Sequence, residues 1–311
     1  YSMGKDDQFD NQVMDWVKVI RNKAKMGAHP PGEFLVLDHL LHELRLFKSA
    51  SEVKLMEQAA EISSQGHKRA MACCKPGIKE YEMEAELLYA FTRNGSRAPA
   101  YNSIVAAGEN ACILHYNAND AEVKEGDLIL IDAGCEYEYY ASDITRTFPA
   151  TGKFSPEQKA IYEIVLAAQD AAIDAVAPGV SWDEPHNASV KVITQGLVKL
   201  GLLKGKVSQL IKDQAYRDFY MHRVGHWIGM DVHDVGDYKI DDHWRLLEPG
   251  MVTTIEPGIY ISPENKKVDK RWRGIGVRIE DDVLVTKQGN KILSKGIPKT
   301  VEEIESFMSS A

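Results

Sequence analysis

One phrase occurs twice in this chain, 124 residues apart. Glu125-Gly126-Asp127-Leu128-Ile129-Leu130-Ile131-Asp132-Ala133-Gly134 and Pro249-Gly250-Met251-Val252-Thr253-Thr254-Ile255-Glu256-Pro257-Gly258 share, in register, a glycine, a hydrophobic residue two places later, an isoleucine, a carboxylate and a second glycine. The apolar run 128–131, stopped at Asp132 and Gly134, reads as a buried strand bounded by turn residues. An acid at the end of such a strand is costly to desolvate. Its recurrence at the same point, as Asp132 and then Glu256, reads as a duplicated half.

Each repeat continues into a second β-rich run. In the first, 139–148 carries Asp143 among β-branched and aromatic neighbours. A turn centred near Tyr137 and Glu138 would place Asp132 opposite Asp143 on paired strands. Two carboxylates that close do not both stay ionised without a cation, and a divalent metal is the simplest one. In the second repeat, 274–285 reads as a strand, with Arg278 and Glu280 two residues apart and so on one face.

Helical patterns alternate with these strands. They cover 10–25 (with Val13, Trp16, Val17 and Ile20 on one face), 49–71, 81–94, 155–176, 184–200 and a short C-terminal stretch from Thr300. A short strand is expected over 34–37. Strands joined mostly as hairpins between helices indicate an α+β protein with a curved antiparallel sheet rather than a doubly wound one. GxGxxG before a helix, the P-loop and GxSxG are all missing.

Composition narrows the partners. The 311 residues are 44% hydrophobic and 27% charged, the make-up of an ordinary globular chain. A net charge of −9 argues against nucleic acid or an anionic membrane as the main partner. No run of 18 apolar residues is present. The adjacent Cys73 and Cys74, with Cys112 and Cys135, form no CxxC pair and read as buried reduced thiols of a cytoplasmic protein. The chain opens Tyr1-Ser2-Met3, which suggests a fragment or a processed product.

Three histidines, His222, His226 and His233, fall within twelve residues among glycines, and His115 lies upstream. His222 and His226 have i, i+4 spacing, but Arg223 stands where HExxH requires glutamate. A lone histidine is usually a surface or satisfied core residue. Three beside strand-borne acids point to metal binding or catalysis.

Taken together, Asp132, Asp143, His226, Glu256 and Glu280 resemble the five metal ligands of the pita-bread (creatinase/aminopeptidase) metallopeptidases. Ile131-Asp-Ala-Gly134, Ser142-Asp-Ile-Thr-Arg-Thr-Phe148, His226-Trp-Ile-Gly-Met-Asp-Val-His-Asp234, Thr254-Ile-Glu-Pro-Gly258 and Gly274-Ile-Gly-Val-Arg-Ile-Glu-Asp-Asp282 are most similar to the aminopeptidase P branch. The likeness runs from about residue 40 onward. It implies the pita-bread fold, with pseudo-twofold halves and covering helices, and two divalent metal ions, usually manganese in this branch. Asp132 would hold one ion, His226 and Glu256 the other, and Asp143 and Glu280 both. It further implies Glu256 as the acceptor of the proton of the attacking water, His115 and His233 as contacts of the scissile carbonyl, and His222 and Arg278 as supporting pocket groups. A plain ion pair with a ligand acid is the other reading of Arg278. The reaction implied is hydrolysis of an N-terminal Xaa-Pro bond in peptides. The alternatives are a prolidase-like dipeptidase with the same metals and a non-catalytic binding module. Residues 1–45 would be the remnant of a preceding domain plus linker, 46–311 the catalytic domain, and the protein a homo-oligomer, dimer or tetramer. In one place the chain departs from the family pattern: Arg223 follows His222 where glycine is usual.

Overall fold

The computed structural model describes residues 3–310. Two helices, α1 (Asp7–Asn22) and α2 (Asp38–Leu46), precede the duplicated body. The first half begins with a helix pair, α3 (Ala50–Cys73) and α4 (Glu80–Arg93). It continues through β1 (Ala98–Pro99), β2 (Ile104–Ala107), β3 (Leu128–Asp132), β4 (Cys135–Tyr137), β5 (Tyr140–Ala141) and β6 (Thr145–Pro149). The second half again begins with a helix pair, α5 (Pro156–Asp174) and α6 (Glu184–Lys199), followed by a short α7 (Val207–Lys212). Its strands are β7 (Lys239–Ile240), β8 (His243–Trp244), β9 (Val252–Ile255), β10 (Gly258–Ile261), β11 (Ile275–Arg278), β12 (Asp281–Thr286) and β13 (Gly289–Ile292). Helix α8 (Val301–Ser310) ends the described chain. Capping boxes open α3 (Ser49 with Glu52) and α5 (Ser155 with Gln158), which satisfy backbone N–H groups left free by the first turn.

The repeat in the sequence is a repeat in the topology. β3 pairs antiparallel with β6, and β4 and β5 fold out between them as a hairpin. β9 pairs antiparallel with β12, and β10 and β11 fold out at the same point. Asp132 ends β3 and Glu256 directly follows β9; Asp143 and Glu280 stand just before the returning strands β6 and β12. Each half therefore delivers one acid where the chain leaves its sheet and one where it returns.

Strand alternation sorts the side chains. Ile129 and Ile131 face Ile62, Met83, Leu87 and Phe91 of the first helix pair, in a core that also takes Ile161, Tyr162 and Val165 of α5. Leu130 and Asp132 face the other way. On β6, Phe148 enters the helix-side core, whereas Thr145 and Thr147 share the face of Asp132. Burying each large apolar side chain in that core contributes about 1.5–3 kcal/mol.

Four expectations are corrected. Asp132 is not the register partner of Asp143; it faces Thr145. The turn residues are Glu138 and Tyr139, both left-handed (φ 48° and 70°), as two-residue hairpins require, and the β3–β6 ladder closes only beyond Asp143. The run 274–285 is two strands, because Ile275–Arg278 pairs with β10 and Asp281–Thr286 with β9, so Glu280 lies in the crossing between two ladders. The segment 34–37 is irregular rather than a strand. Of the expected apolar face of α1, Val17 alone is buried, and Trp16 is 51% exposed.

Candidate metal centre and active site

All nine side chains singled out from the sequence line one cavity of roughly 230 Å³: Asp132, Asp143, His226, Glu256 and Glu280, with His115, His222, His233 and Arg278. Ligand-type atoms of Asp143, His226 and Glu280 lie within 4.8 Å of one another. Asp143 Oδ2 is 3.4 Å and Glu256 Oε1 3.7 Å from His226 Nε2. Asp132 Oδ1 and Asp143 Oδ1 are joined through the hydroxyl of Tyr101, at 2.6 and 2.5 Å.

The segment bearing His226 runs beside β9. The Thr254 N–H donates to the His226 carbonyl, the Glu256 N–H to the Val224 carbonyl, and the His226 N–H to Thr254 Oγ1. Gly225 permits this approach: a Cβ there would sit 1.9 Å from the Thr254 carbonyl oxygen. Gly134 plays the same part in the first half, where a Cβ would meet the Ser142 carbonyl oxygen at 1.7 Å. His226 Nδ1–H donates to the Trp227 carbonyl (3.0 Å), which orients the ring with Nε2 toward the carboxylates.

The electrostatics of this cavity call for positive charge. Burial, together with the carboxylates of Asp143 and Glu256, pushes Glu280 well above the ordinary range. Burial raises Glu256 to about 7 against the pull of His226 and Arg278. Asp132 is raised by burial and partly relieved by Arg278. Asp143 is held low despite its burial, by the hydrogen bond and charge of His226. For His226 burial opposes the charge, but Asp143 and Glu256 override it and lift the imidazole to about 9. Protons here do what a cation would do. Four carboxylates and one imidazole form an oxygen-rich donor set that fits manganese and related divalent ions better than a thiolate-rich site would.

Around this set runs a chain of hydrogen bonds. Arg278 Nη1 donates to the Tyr260 hydroxyl (3.0 Å), Tyr260 donates to His222 Nε2 (2.9 Å), and His222 Nδ1 donates to the Arg223 carbonyl (2.8 Å). His222 is thereby a neutral imidazole, its pKa lowered to about 3 by burial and by Arg278. Arg278 pairs with Asp132. The imidazole of His233 meets that of His226 edge-on, with centroids 4.2 Å apart. The loop carrying His115 is tied down by the wholly buried Glu80, whose carboxylate accepts from the Ala107 and Ala121 N–H groups, the Asn110 amide and the Tyr116 hydroxyl.

Tyr101, Tyr260, Thr145 and Glu80 escaped the sequence reading. Thr145 stands inside the phrase 142–148 without a role assigned to it, Tyr101, Tyr260 and Glu80 stand outside the quoted phrases, and the partners of all four lie far away in the chain.

The fold and this cavity define a class. The chain belongs to metallopeptidase family M24, whose model matches residues 54–287. It is 54% identical over 270 residues to a Xaa-Pro aminopeptidase of Haemophilus influenzae, covering 87% of this chain and 62% of that one. It is 46% identical over 311 residues to a Xaa-Pro aminopeptidase of Escherichia coli, covering 100% of this chain and 70% of the relative. The structure of Pseudomonas aeruginosa aminopeptidase PepP superposes with a TM-score of 0.95 at 63% identity, covering all of this chain and 70% of that one. The architecture is the pita-bread fold. The chain thus spans a little under two thirds to 70% of the length of these relatives.

Proposed function

We propose that this chain hydrolyses the bond between an N-terminal residue and a following proline in peptides, as a metal-dependent aminopeptidase. The observation that carries the reading is the single cavity holding Asp132, Asp143, His226, Glu256 and Glu280 beside His115 and His233. In this reading Asp132 would hold one divalent ion, His226 and Glu256 would hold a second, and Asp143 and Glu280 would serve both; manganese suits the donor set. When bound, such ions would supply Lewis-acid chemistry, polarising a carbonyl and making bound water more acidic. Glu256 takes the proton of the attacking water at its carboxylate. His115 and His233 donate N–H groups to the oxygen on which negative charge develops. Arg278 and His222 hold the ligand acids and the pocket wall in place. The leaving proline nitrogen comes from a tertiary amide without N–H, so it must gain a proton to depart.

A dipeptidase is the second reading. Arg223 and Gly225 line both this cavity and a further open space beside it, and room on that side favours substrates longer than a dipeptide. An assay with manganese on matched Xaa-Pro dipeptides and Xaa-Pro-Yaa tripeptides tests both. Turnover of the tripeptides supports the aminopeptidase, turnover of dipeptides alone supports the dipeptidase, and failure on both removes the enzyme reading.

We propose further that 46–311 form the catalytic unit and that 1–45 belong to an adjoining one. Among the described residues before 46, Val17 alone is buried, and Met26, Leu35 and Leu44 are 85%, 69% and 73% exposed. Such apolar side chains suit packing against an adjoining domain or a second copy in a homo-oligomer. Support for a reducing, cytoplasmic setting comes from the four cysteines, all thiols, with Cys73 and Cys74 pushed up to about 11 and about 12 by burial.

A further inference from the structure

Arg223 lies one residue after His222 and three before His226, and the reaction as described above does not use it. Its side chain lines the cavity of the ligand acids and also a second space of about 550 Å³ beside it, walled by Trp182, Tyr238 and Trp244. The guanidinium carbon sits 4.5 Å from the ring centroid of Trp244 and 5.0 Å from that of Trp182. Two indole faces hold a guanidinium in place while leaving its N–H donors free. Among the described residues no acceptor takes a hydrogen bond or ion pair from it. Asp183, whose charge acts on it, is already engaged by the Ser181 hydroxyl and the Asn187 amide. A second cation, Lys239, lies over the same Trp244 ring at 4.6 Å, against one acid on this wall, Asp237.

A third space, bounded by Tyr101, Asn102, Asn117, Asp132 and Asp143, adjoins the ligand set and shares no lining residue with the tryptophan-walled one. On the aminopeptidase reading, on which this inference rests, Asp132 and Asp143 serve the metal ions, the first residue takes the space beside them, and the chain beyond the scissile bond runs toward Arg223. The carboxylate of a tripeptide lies about 7 Å, two residues, past the scissile carbonyl, and the Cα of Arg223 is at most about 11 Å from that of His226. We propose that Arg223 determines specificity on the leaving side: its guanidinium binds the C-terminal carboxylate of a tripeptide substrate, with the third side chain against the tryptophan wall. A planar, pre-oriented guanidinium is the group best matched to a carboxylate.

The test compares Ala-Pro-Ala with its C-terminal amide, manganese present, for the unaltered chain, Arg223→Gln and Arg223→Lys. The unaltered chain is expected to favour the free acid by about tenfold or more in kcat/KM, through KM. In Arg223→Gln the acid-to-amide ratio falls to near one, with the loss in KM rather than kcat, and Arg223→Lys recovers part of it. An equal loss on acid and amide, or an unaltered chain that cleaves both alike, overturns the assignment. Turnover of neither peptide by the unaltered chain overturns the aminopeptidase reading itself, and the assignment with it.

Discussion

Arg278, at the end of the second repeat's outer hairpin, reaches across to the acid of the first: its Nη2 donates to Asp132 Oδ2 at 2.7 Å. The same guanidinium donates through Nη1 to Tyr260 and through Nε to Thr145 Oγ1, 3.2 Å away. Thr145 in turn donates to Glu280 Oε2 at 2.6 Å. One buried arginine thus fixes the orientation of an acid from each half. Arg278→Lys keeps the charge but not the fork that spans three acceptors. It is expected to lower manganese affinity and kcat by about 10–100-fold while the chain remains folded. Titration calorimetry and steady-state kinetics check this; turnover close to that of the unaltered chain would contradict it.

In the proposed two-metal reading Asp143 serves both ions; its Oδ2 lies 3.4 Å from His226 Nε2, and ligand-type atoms of Asp143, His226 and Glu280 lie within 4.8 Å of one another. Asp143→Ala should abolish metal retention and turnover together. The unaltered chain should gain about 2.7 kcal/mol of stability per bound ion at manganese concentrations a hundredfold above the dissociation constant, and the variant should gain none. Elemental analysis and melting with and without manganese read the difference. A variant that still carries two ions per chain would refute the bridging role.

Glu80 has no access to solvent and accepts four hydrogen bonds from the segment 107–121, next to His115. Glu80→Gln keeps the shape but turns an amide NH₂ toward donors. A buried donor left unsatisfied costs about 1–3 kcal/mol, so the loss should be roughly 2–4 kcal/mol. Faster amide exchange across 107–121, with kcat reduced, is expected. Exchange unchanged in that segment would show that the loop stands without the clamp.

The acids Asp132 and Glu256 were legible in the sequence because a carboxylate closing an apolar strand contradicts the strand's own pattern, and the contradiction occurs twice. Asp143 and Glu280 were legible as residues but not as geometry. Their placement depends on where each hairpin turns, and one residue decides that: the turn falls at Glu138–Tyr139, so Thr145 rather than Asp143 faces Asp132. Glu80 was invisible for a different reason. An acid in the first turn of α4 is what the helix dipole favours in any surface helix, and nothing local shows that its four donors arrive from 107–121. Tyr101 is likewise an ordinary loop tyrosine until the fold brings Asp132 and Asp143 to its hydroxyl.

His67, on α3, ties that helix to the strand end bearing Asp132. Its Nε2–H donates to the Ala133 carbonyl at 2.9 Å, and its Nδ1 is buried without a partner. A second proton would charge a ring sealed from water beside Arg146, so burial first, and Arg146 after it, lower the pKa to about 4. The unfolded chain titrates this group near 6.5. Between those values the unfolded state binds a proton that the folded state refuses, so stability falls as pH falls through the window from about 6.5 to 4. Above it the ring is neutral in both states and contributes no slope. At about 1.4 kcal/mol per pH unit the full effect is on the order of 3 kcal/mol. His67→Gln keeps an N–H for Ala133 and has no proton to refuse. In metal-free protein, urea unfolding at a series of pH values should show the unaltered chain losing roughly 3 kcal/mol more than the variant between pH 7 and pH 4. Parallel stability curves for the two proteins would show that His67 is not the source of that acid sensitivity.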